Sequence, residues 1–442
     1  MLKILNYSIF IIDIFEPFIT NDIVMSLKAY AVNLKFYKIL KMIFFVMSPK
    51  MLVLGGAGHI GSVIVSELHR LDPTAKIAIG DKNVEKAKET AETIGGDIKV
   101  LHVDAAIEDS LINVMKGFDV VVSALGPFHK FGVPVLKAAL KAGVNFVDIN
   151  DDYDATEEAL RLHGEAQKRN VTAVIGMGAT PGITNLLACY GAQRLDEVSE
   201  IGTYWVWTAI DPTMGPAIVD HYFHAITGMI PTYKNGEWVM VKALSEPEHY
   251  EFPKPIGTWE VAHAGHPEPV TIPRYIKVKN VYNKGGVWPL DLNDVAKVFS
   301  TLGLTSLKEI KIGDHTFKAR EIAVAITLAL SEITPPEETE KSIGPLYERL
   351  GDYALTGLGL ATVVKGVKEG KEHIIKYGIA CKDATEATAL PAALAALELA
   401  NGKSVEAGVY PPEANVINVE RLINCIKREI KIELVETEVE TV

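Results

Sequence analysis

Met51-Leu52-Val53-Leu54-Gly55-Gly56-Ala57-Gly58-His59-Ile60-Gly61 decides how this chain is read. A short apolar run ends in a glycine turn, and an amphipathic segment from Ile60 to Leu71 follows at once. That order is strand, tight loop, helix. Gly56, Gly58 and Gly61 have the spacing G-x-G-x-x-G, and Asp81 closes a second apolar run, Lys76 to Gly80. Gly56 makes the turn, Gly58 lets backbone approach a pyrophosphate, and Gly61 lets helix pack on strand. The amides of His59 and Ile60 and the dipole at the helix start suit phosphate, and Asp81 suits a ribose diol. The expected cofactor is NAD, because Asp81 repels a 2′-phosphate; Lys82 beside it softens that preference and keeps NADP open.

Outward from this loop, strand and helix alternate. Strands are expected at 97–103, 119–124, 145–149 and 171–176, with helices at 83–94, 108–116, 133–142 and 154–169. Apolar strands separated by amphipathic helices give a parallel sheet covered on both faces. Past Leu195 the texture changes. Residues 201–208 alternate as a half-buried strand, and the region to Ser300 is rich in Pro, Gly, His and Trp, with few clear helices. Ala361 to Val367 and His373 to Cys381 flank a glycine-containing turn and read as a hairpin. Ala384 to Asn401 is an alanine- and leucine-rich helix stopped by Gly402. The fold expected is α/β: a doubly wound Rossmann domain (47–195) interrupted by a second α/β domain with a mostly antiparallel sheet (196–383). C-terminal helices (384–442) then return to the first domain.

Composition narrows the function. A net charge of −12 over 442 residues argues against a nucleic-acid surface. Three scattered cysteines, Cys189, Cys381 and Cys425, lack metal-ligand spacing and read as reduced thiols of a cytoplasmic protein. Residues 1–46 contain no glycine, and no run in them is long enough to span a bilayer. Met47-Ser48-Pro49-Lys50 is a natural start for a dinucleotide domain, so residues 1–46 are expected to come from an upstream start and to have no function. No membrane association is expected.

Three loops at the carboxyl edge carry the candidate chemistry. Ala124-Leu125-Gly126-Pro127-Phe128-His129-Lys130 follows the fourth strand; Gly126-Pro127 keeps the backbone tight against a nicotinamide, and His129 or Lys130 can exchange a proton with an amine. Asp104, after the third strand, and Ala124 complete the cofactor candidates. Asp148-Ile149-Asn150-Asp151-Asp152-Tyr153-Asp154 ends the fifth strand. Asp151 is the carboxylate chosen for proton handling, Asp148 and Tyr153 are candidates for substrate, and Asp154 suits a helix cap. Gly178-Ala179-Thr180-Pro181-Gly182, after the sixth strand, reads as a nest of free amides for a substrate carboxylate. His221, His224, His263, His266 and Arg274 are further carboxylate candidates, Arg274 first among them. His221 and His224 share a helix spacing, but no carboxylate at ligand spacing completes a metal site, and none is expected. Trp205 and Trp207 read as core or pocket wall.

The stretches Gly55–Gly61, 125–148 and Gly176–Asn185 occur in this order with Ala384–Leu394 and Gly408-Val409-Tyr410-Pro411-Pro412-Glu413 behind them. Together they resemble the saccharopine dehydrogenase and saccharopine reductase family, which includes lysine 6-dehydrogenases. The resemblance implies a split Rossmann domain, a homodimer, Gly126, Pro127 and Phe128 at the nicotinamide, and hydride transfer at a carbon–nitrogen bond of a small amino-acid substrate of the lysine or saccharopine type. Many relatives carry an acid where Thr180 stands. Two alternatives are an enzyme forming carboxynorspermidine- or homospermidine-like polyamines, for which Asp148, Asp151 and Asp152 supply acids, and a non-catalytic dinucleotide sensor.

Overall fold

A computed structural model describes residues 48–211, 215–333, 336–402, 406–429 and 433–440. The expectation for residues 1–46 lies outside the described residues. Strands β1 (Lys50–Leu54), β2 (Lys76–Asp81), β3 (Lys99–His102), β4 (Val120–Ser123), β5 (Asn145–Asp148) and β6 (Thr172–Val174) alternate with helices. The second part holds β7 (Glu197–Thr208), β8 (Met229–Lys234), β9 (Glu237–Lys242), β10 (Glu248–Phe252), β11 (Gly257–His263), β12 (Asn280–Trp288), β13 (Glu309–Ile312) and β14 (His315–Lys318). It closes with the hairpin β15 (Leu358–Lys368) and β16 (Lys371–Cys381); β17 (Gly408–Tyr410) and β18 (Glu433–Glu440) follow.

The first sheet runs β3-β2-β1-β4-β5-β6-β17 and is parallel throughout. The order reverses between β1 and β4, and that switch point is where open α/β sheets bind their ligands. From Met51 to Leu54 every residue of β1 is fully buried, because helices cover both faces. The interruption is visible in the pairing. After some two hundred residues elsewhere, β17 returns to pair with β6, Val409 opposite Ala173. Helix Ala384–Ala400 packs on helix His59–Leu71 and on β4 and β5. Buried residues recur on all its faces, so its sequence is apolar all round.

The second sheet runs β10-β11-β12-β7-β15-β16-β18, with β8 and β9 attached through β12. It is antiparallel except where β12 pairs β7. Three expectations are corrected. The region to about Ser300 holds helices Pro216–Ala225, Glu268–Tyr275 and Leu290–Thr301; the first two are short and carry prolines, which hide the helical period. The chain after Ala384 is not helices alone: β18 crosses to the second sheet and pairs with β16. The predicted helix over 154–169 is two helices, Tyr153–Leu160 and His163–Lys168.

Candidate active site

The glycine loop fits a dinucleotide. A Cβ on Gly61 would collide with the carbonyl oxygen of Gly55, and Gly55 itself takes a left-handed φ of +73°. A Cβ on Gly58 would come within 3.0 Å of the same oxygen. Helix and loop therefore approach only because both side chains are missing, which leaves the helix start open to phosphate. Asp81 sits at the end of β2 and accepts from the Ala57 amide at 3.1 Å and the Asn83 amide at 2.9 Å. Lys82 pairs with Asp104 at 2.9 Å across the β2–β3 edge, and beside Lys82 the Asp104 carboxyl is held below its usual range. His59, the first helical residue, meets the hydroxyl of Thr385 at 2.6 Å, so the glycine loop touches the first turn of the late helix directly. The expected cofactor residues Gly56, Gly58, His59, Ile60, Gly61, Asp81, Lys82 and Asp104 thus form one edge. Ala124 joins it, because a Cβ on Gly55 would lie 3.1 Å from the Ala124 carbonyl oxygen, and Gly126 and Pro127 follow on the same loop.

Beyond Pro127 the helix Phe128–Ala142 begins, and helix Pro216–Ala225 of the second domain lies over it: a Cβ on Gly126 would meet Ala217 at 3.3 Å. Between these helices and the β5 loop, charged groups converge. The hub is Asp152, whose side chain is fully buried. It accepts from the His129 amide at 2.7 Å and stands 2.9 Å from Nδ1 of His221. Its own loop shapes it, since the Asp152 amide donates to Asn150 at 3.0 Å. Around it, His129 faces Asp152 through Nδ1 at 3.5 Å and Asp220 through Nε2 at 3.4 Å. The rings of His129 and His224 stack at 5.0 Å, and Tyr153 stacks on His224 at 5.8 Å. His224 Nε2 lies 3.2 Å from Asp154, and its Nδ1 lies 3.2 Å from Nη1 of the buried Arg320.

Charge follows from this geometry. Burial opposes ionisation of Asp152, but His221, with hydrogen bonds from His129 and His221, holds its carboxyl well below the usual range. Burial also opposes the His221 imidazolium, yet Asp151 and Asp152 outweigh it and lift the pKa to about 9. Burial raises the Asp151 carboxyl despite the pull of His221. Donor atoms of Asp151, Asp152 and His221 lie within 4.8 Å of one another, a spacing that a metal ion could use. Spatial packing therefore supplies the carboxylates that sequence spacing around His221 does not. However, the two acids meet opposite nitrogens of the ring, at 3.2 and 2.9 Å, and a doubly protonated imidazolium satisfies both at once. Among the described residues, both ring nitrogens of His129, Oδ1 of Asp151, Oδ2 of Asp220 and Nε2 of His224 are buried with no hydrogen bond. Their number in one place suits a polar ligand.

Other expected residues fall outside this cluster. Arg274 is exposed at a helix end, stacked on Trp238 at 5.1 Å and bonded to the carbonyl of Val270. Lys130 is exposed. Asp148 is buried beneath the site, with Oδ1 accepting from the amides of Asn150 and Gly176 at 3.1 and 2.7 Å, and burial pushes its pKa up to about 7. It joins the ends of β5 and β6. In the Gly178–Gly182 loop both glycine amides are already engaged, Gly178 donating to Pro181 and Gly182 to Asn185, and Ile183 and Thr184 donate back to Gly178 and Ala179. Thr180 donates to Glu268 at 2.6 Å, so a carboxylate does reach this loop, from another helix. His266 packs edge-on against His221 and stands 3.6 Å from Glu268, bordering the cluster, whereas His263 pairs elsewhere with Glu246. Trp205 is core, and Trp207 lines an apolar cavity of about 40 Å³ with Val219, Tyr222 and Phe223. Sequence reasoning missed Asp152 as the hub, and it missed Asp220, Glu268 and Arg320. Arg320 carried no local signal, whereas Asp220 directly precedes His221.

Residues 51–174 match the family described as the saccharopine dehydrogenase NADP binding domain. Over nearly their whole length, two curated proteins are similar to the chain. Carboxynorspermidine synthase of Vibrio alginolyticus is 25% identical over 397 residues, 81% of this chain and 90% of that one. Carboxyaminopropylagmatine dehydrogenase of a Synechocystis species is 21% identical over 391 residues, 81% and 91% respectively. Among solved structures, saccharopine dehydrogenase (L-Glu forming) from Saccharomyces cerevisiae has the same fold, with a TM-score of 0.61 at 14% identity over 89% of this chain and all of that one. Homospermidine synthase from Legionella pneumophila, in complex with NAD, gives 0.51 at 11% identity over 89% and 91%.

Proposed function

We propose, on the premise that this chain is an NAD(P)-dependent oxidoreductase with a saccharopine dehydrogenase-type dinucleotide domain, that it interconverts a secondary amine and its imine within a polyamine chain that also bears a carboxylate. The observation that carries this reading is the set of carboxylates Asp151, Asp152, Asp154 and Asp220 gathered around three histidines with Arg320 as the one buried arginine among the described residues. Such a surface favours a cationic amine, and Arg320, with Nε on the Thr305 carbonyl and Nη1 against His224, keeps Nη2 for a carboxylate. Near-full-length similarity to two enzymes named for carboxylated polyamines agrees with it. The second reading is an amino acid of the lysine or saccharopine type, which the buried Arg320 and the saccharopine dehydrogenase fold favour.

The glycine loop and Asp81 would hold a dinucleotide, whose nicotinamide would supply the hydride acceptor or donor for the carbon beside nitrogen. The residues of this chain manage everything else. His129 takes the amine proton in oxidation and returns it in reduction, through a ring nitrogen that has no hydrogen bond. Asp152 fixes the first turn that carries His129, and His221, charged at neutral pH, allows Asp152 to stay ionised while buried. Asp151 and Asp220 face the substrate ammonium, and Arg320 holds its carboxylate.

The test is oxidation of carboxynorspermidine, carboxyaminopropylagmatine, saccharopine and lysine with NAD and NADP, followed by nicotinamide absorbance. The highest kcat/KM is expected for a carboxylated polyamine. Turnover of saccharopine or lysine alone would transfer the assignment to the second reading, and dinucleotide binding without turnover of any amine would identify a sensor.

A further inference from the structure

We propose that Asp104 is a positioning residue for cofactor choice: by drawing Lys82 to the β3 side of Asp81, it withholds the cation that an NADP 2′-phosphate needs and sets this domain for NAD. The family to which residues 51–174 match is described by NADP, so the inference concerns where this chain stands within it. It rests on dinucleotide binding at the glycine loop and not on the identity of the substrate.

The argument is one of sides. The adenosine ribose of a dinucleotide lies over the end of β2, beside the glycine loop that follows β1. On that side Asp81 is bonded to the Ala57 amide, which points its carboxylate along the loop. β3 pairs with the opposite edge of β2, with His102 beside Asp81. Lys82 bridges to that edge, its Nζ 2.9 Å from Oδ2 of Asp104. Asp104 is fixed independently of the lysine: its Oδ1 accepts from the Ala106 amide at 3.0 Å, and its own amide donates to Ser110 at 3.2 Å. The lysine is long and exposed, whereas its partner is anchored in a turn, so the anchor decides where the ammonium spends its time. With the lysine held on the far side, the Asp81 carboxylate faces an incoming 2′-phosphate without a neutralising cation, and like charge opposes it.

The experiment titrates NADH and NADPH, by their fluorescence, into the full chain without substrate. Wild type should bind NADH more tightly. Asp104→Asn keeps the acceptor for the Ala106 amide but releases Lys82. The ratio of NADPH to NADH affinity should then rise about fivefold. Lys82→Met alone should leave NADPH affinity near wild type, and added to Asp104→Asn it should remove the gain. An unchanged NADPH-to-NADH ratio in Asp104→Asn overturns the inference, as does a gain that survives in the double variant, since charge removal and not the lysine would then act. Weaker NADPH binding in Lys82→Met alone also overturns it, and this arm holds whether or not the Asp104 variant folds. Failure of wild type to bind either nucleotide would overturn the cofactor assignment itself; binding with an unmoved preference overturns this inference alone.

Discussion

Nδ1 of His221 stands 2.9 Å from Oδ1 of Asp152, a side chain with no exposure to solvent. The pair joins a helix of the second domain to the loop after β5 of the first. Burying one charge without the other is costly, so each keeps its partner ionised. His221→Gln should therefore lower stability by on the order of 3 kcal/mol. The sign with pH follows from the raised pKa. The folded value of about 9 lies above the 6.5 of an unperturbed imidazole, so the contribution is full below the lower value and lost as pH rises through the higher. Thermal melts of wild type and variant should differ most near about pH 6 and converge by about pH 10.

His129→Ala should lower kcat at least about a hundredfold, the usual contribution of a general acid or base. The dissociation constant for NADH should move less than about twofold, because the ring lies past the glycine loop, among Asp152, Asp220 and His224. Steady-state kinetics with a fluorescence titration separates the two, and unchanged kcat would remove His129 from proton transfer.

Asp148 ties the ends of two strands through the amides of Asn150 and Gly176, and its titration bears on stability. Burial raises its folded pKa to about 7 from 3.8, so the folded chain binds the proton more strongly, and stability falls as pH rises between those values. Asp148→Asn keeps an oxygen for the amides of Asn150 and Gly176. The variant should melt near wild type at about pH 4 and above it at about pH 8, with kcat retained. A large loss of kcat would return Asp148 to the reacting groups.

Arg320 and Arg274 make a contrast. Arg320→Lys should raise KM for a carboxylated substrate about tenfold, because one ammonium cannot keep the guanidinium's contacts with the Thr305 carbonyl and His224 and still reach a carboxylate. Arg274→Ala should leave KM and kcat near wild type, its guanidinium being stacked on Trp238 at the surface. The reverse pattern would place the carboxylate at the other end of helix Glu268–Tyr275.

The first sheet was legible because glycine spacing, apolar strands and the acid at Asp81 are local signals that agree. The second sheet was visible at its aromatic strand and its hairpin. β18 was missed although Leu434 to Glu440 alternates valine and acid in the period of a strand. The candidate site was legible by loop but not by residue. Asp148, Asp151 and Asp152 look alike in sequence, and only packing makes one a strand tie, one partly exposed and one a buried hub. The Gly178–Gly182 loop misled because glycines that free amides for a ligand and glycines that let a loop fold on itself share one composition. Arg320 lies far along the chain and gained its place only by burial beside His224.

The hydrogen bond between His59 and Thr385 has a consequence for anyone cutting this protein into pieces. The nucleotide cleft is assembled from two stretches that translation separates by more than three hundred residues, and β17 closes the same sheet from later still. A fragment ending after β6 would carry every glycine of the fingerprint and still lack the helix against which that fingerprint rests. The working unit of binding is therefore discontinuous. A contiguous nucleotide module would have to be built by splicing residues 384–429 directly behind residue 195, and not by truncation.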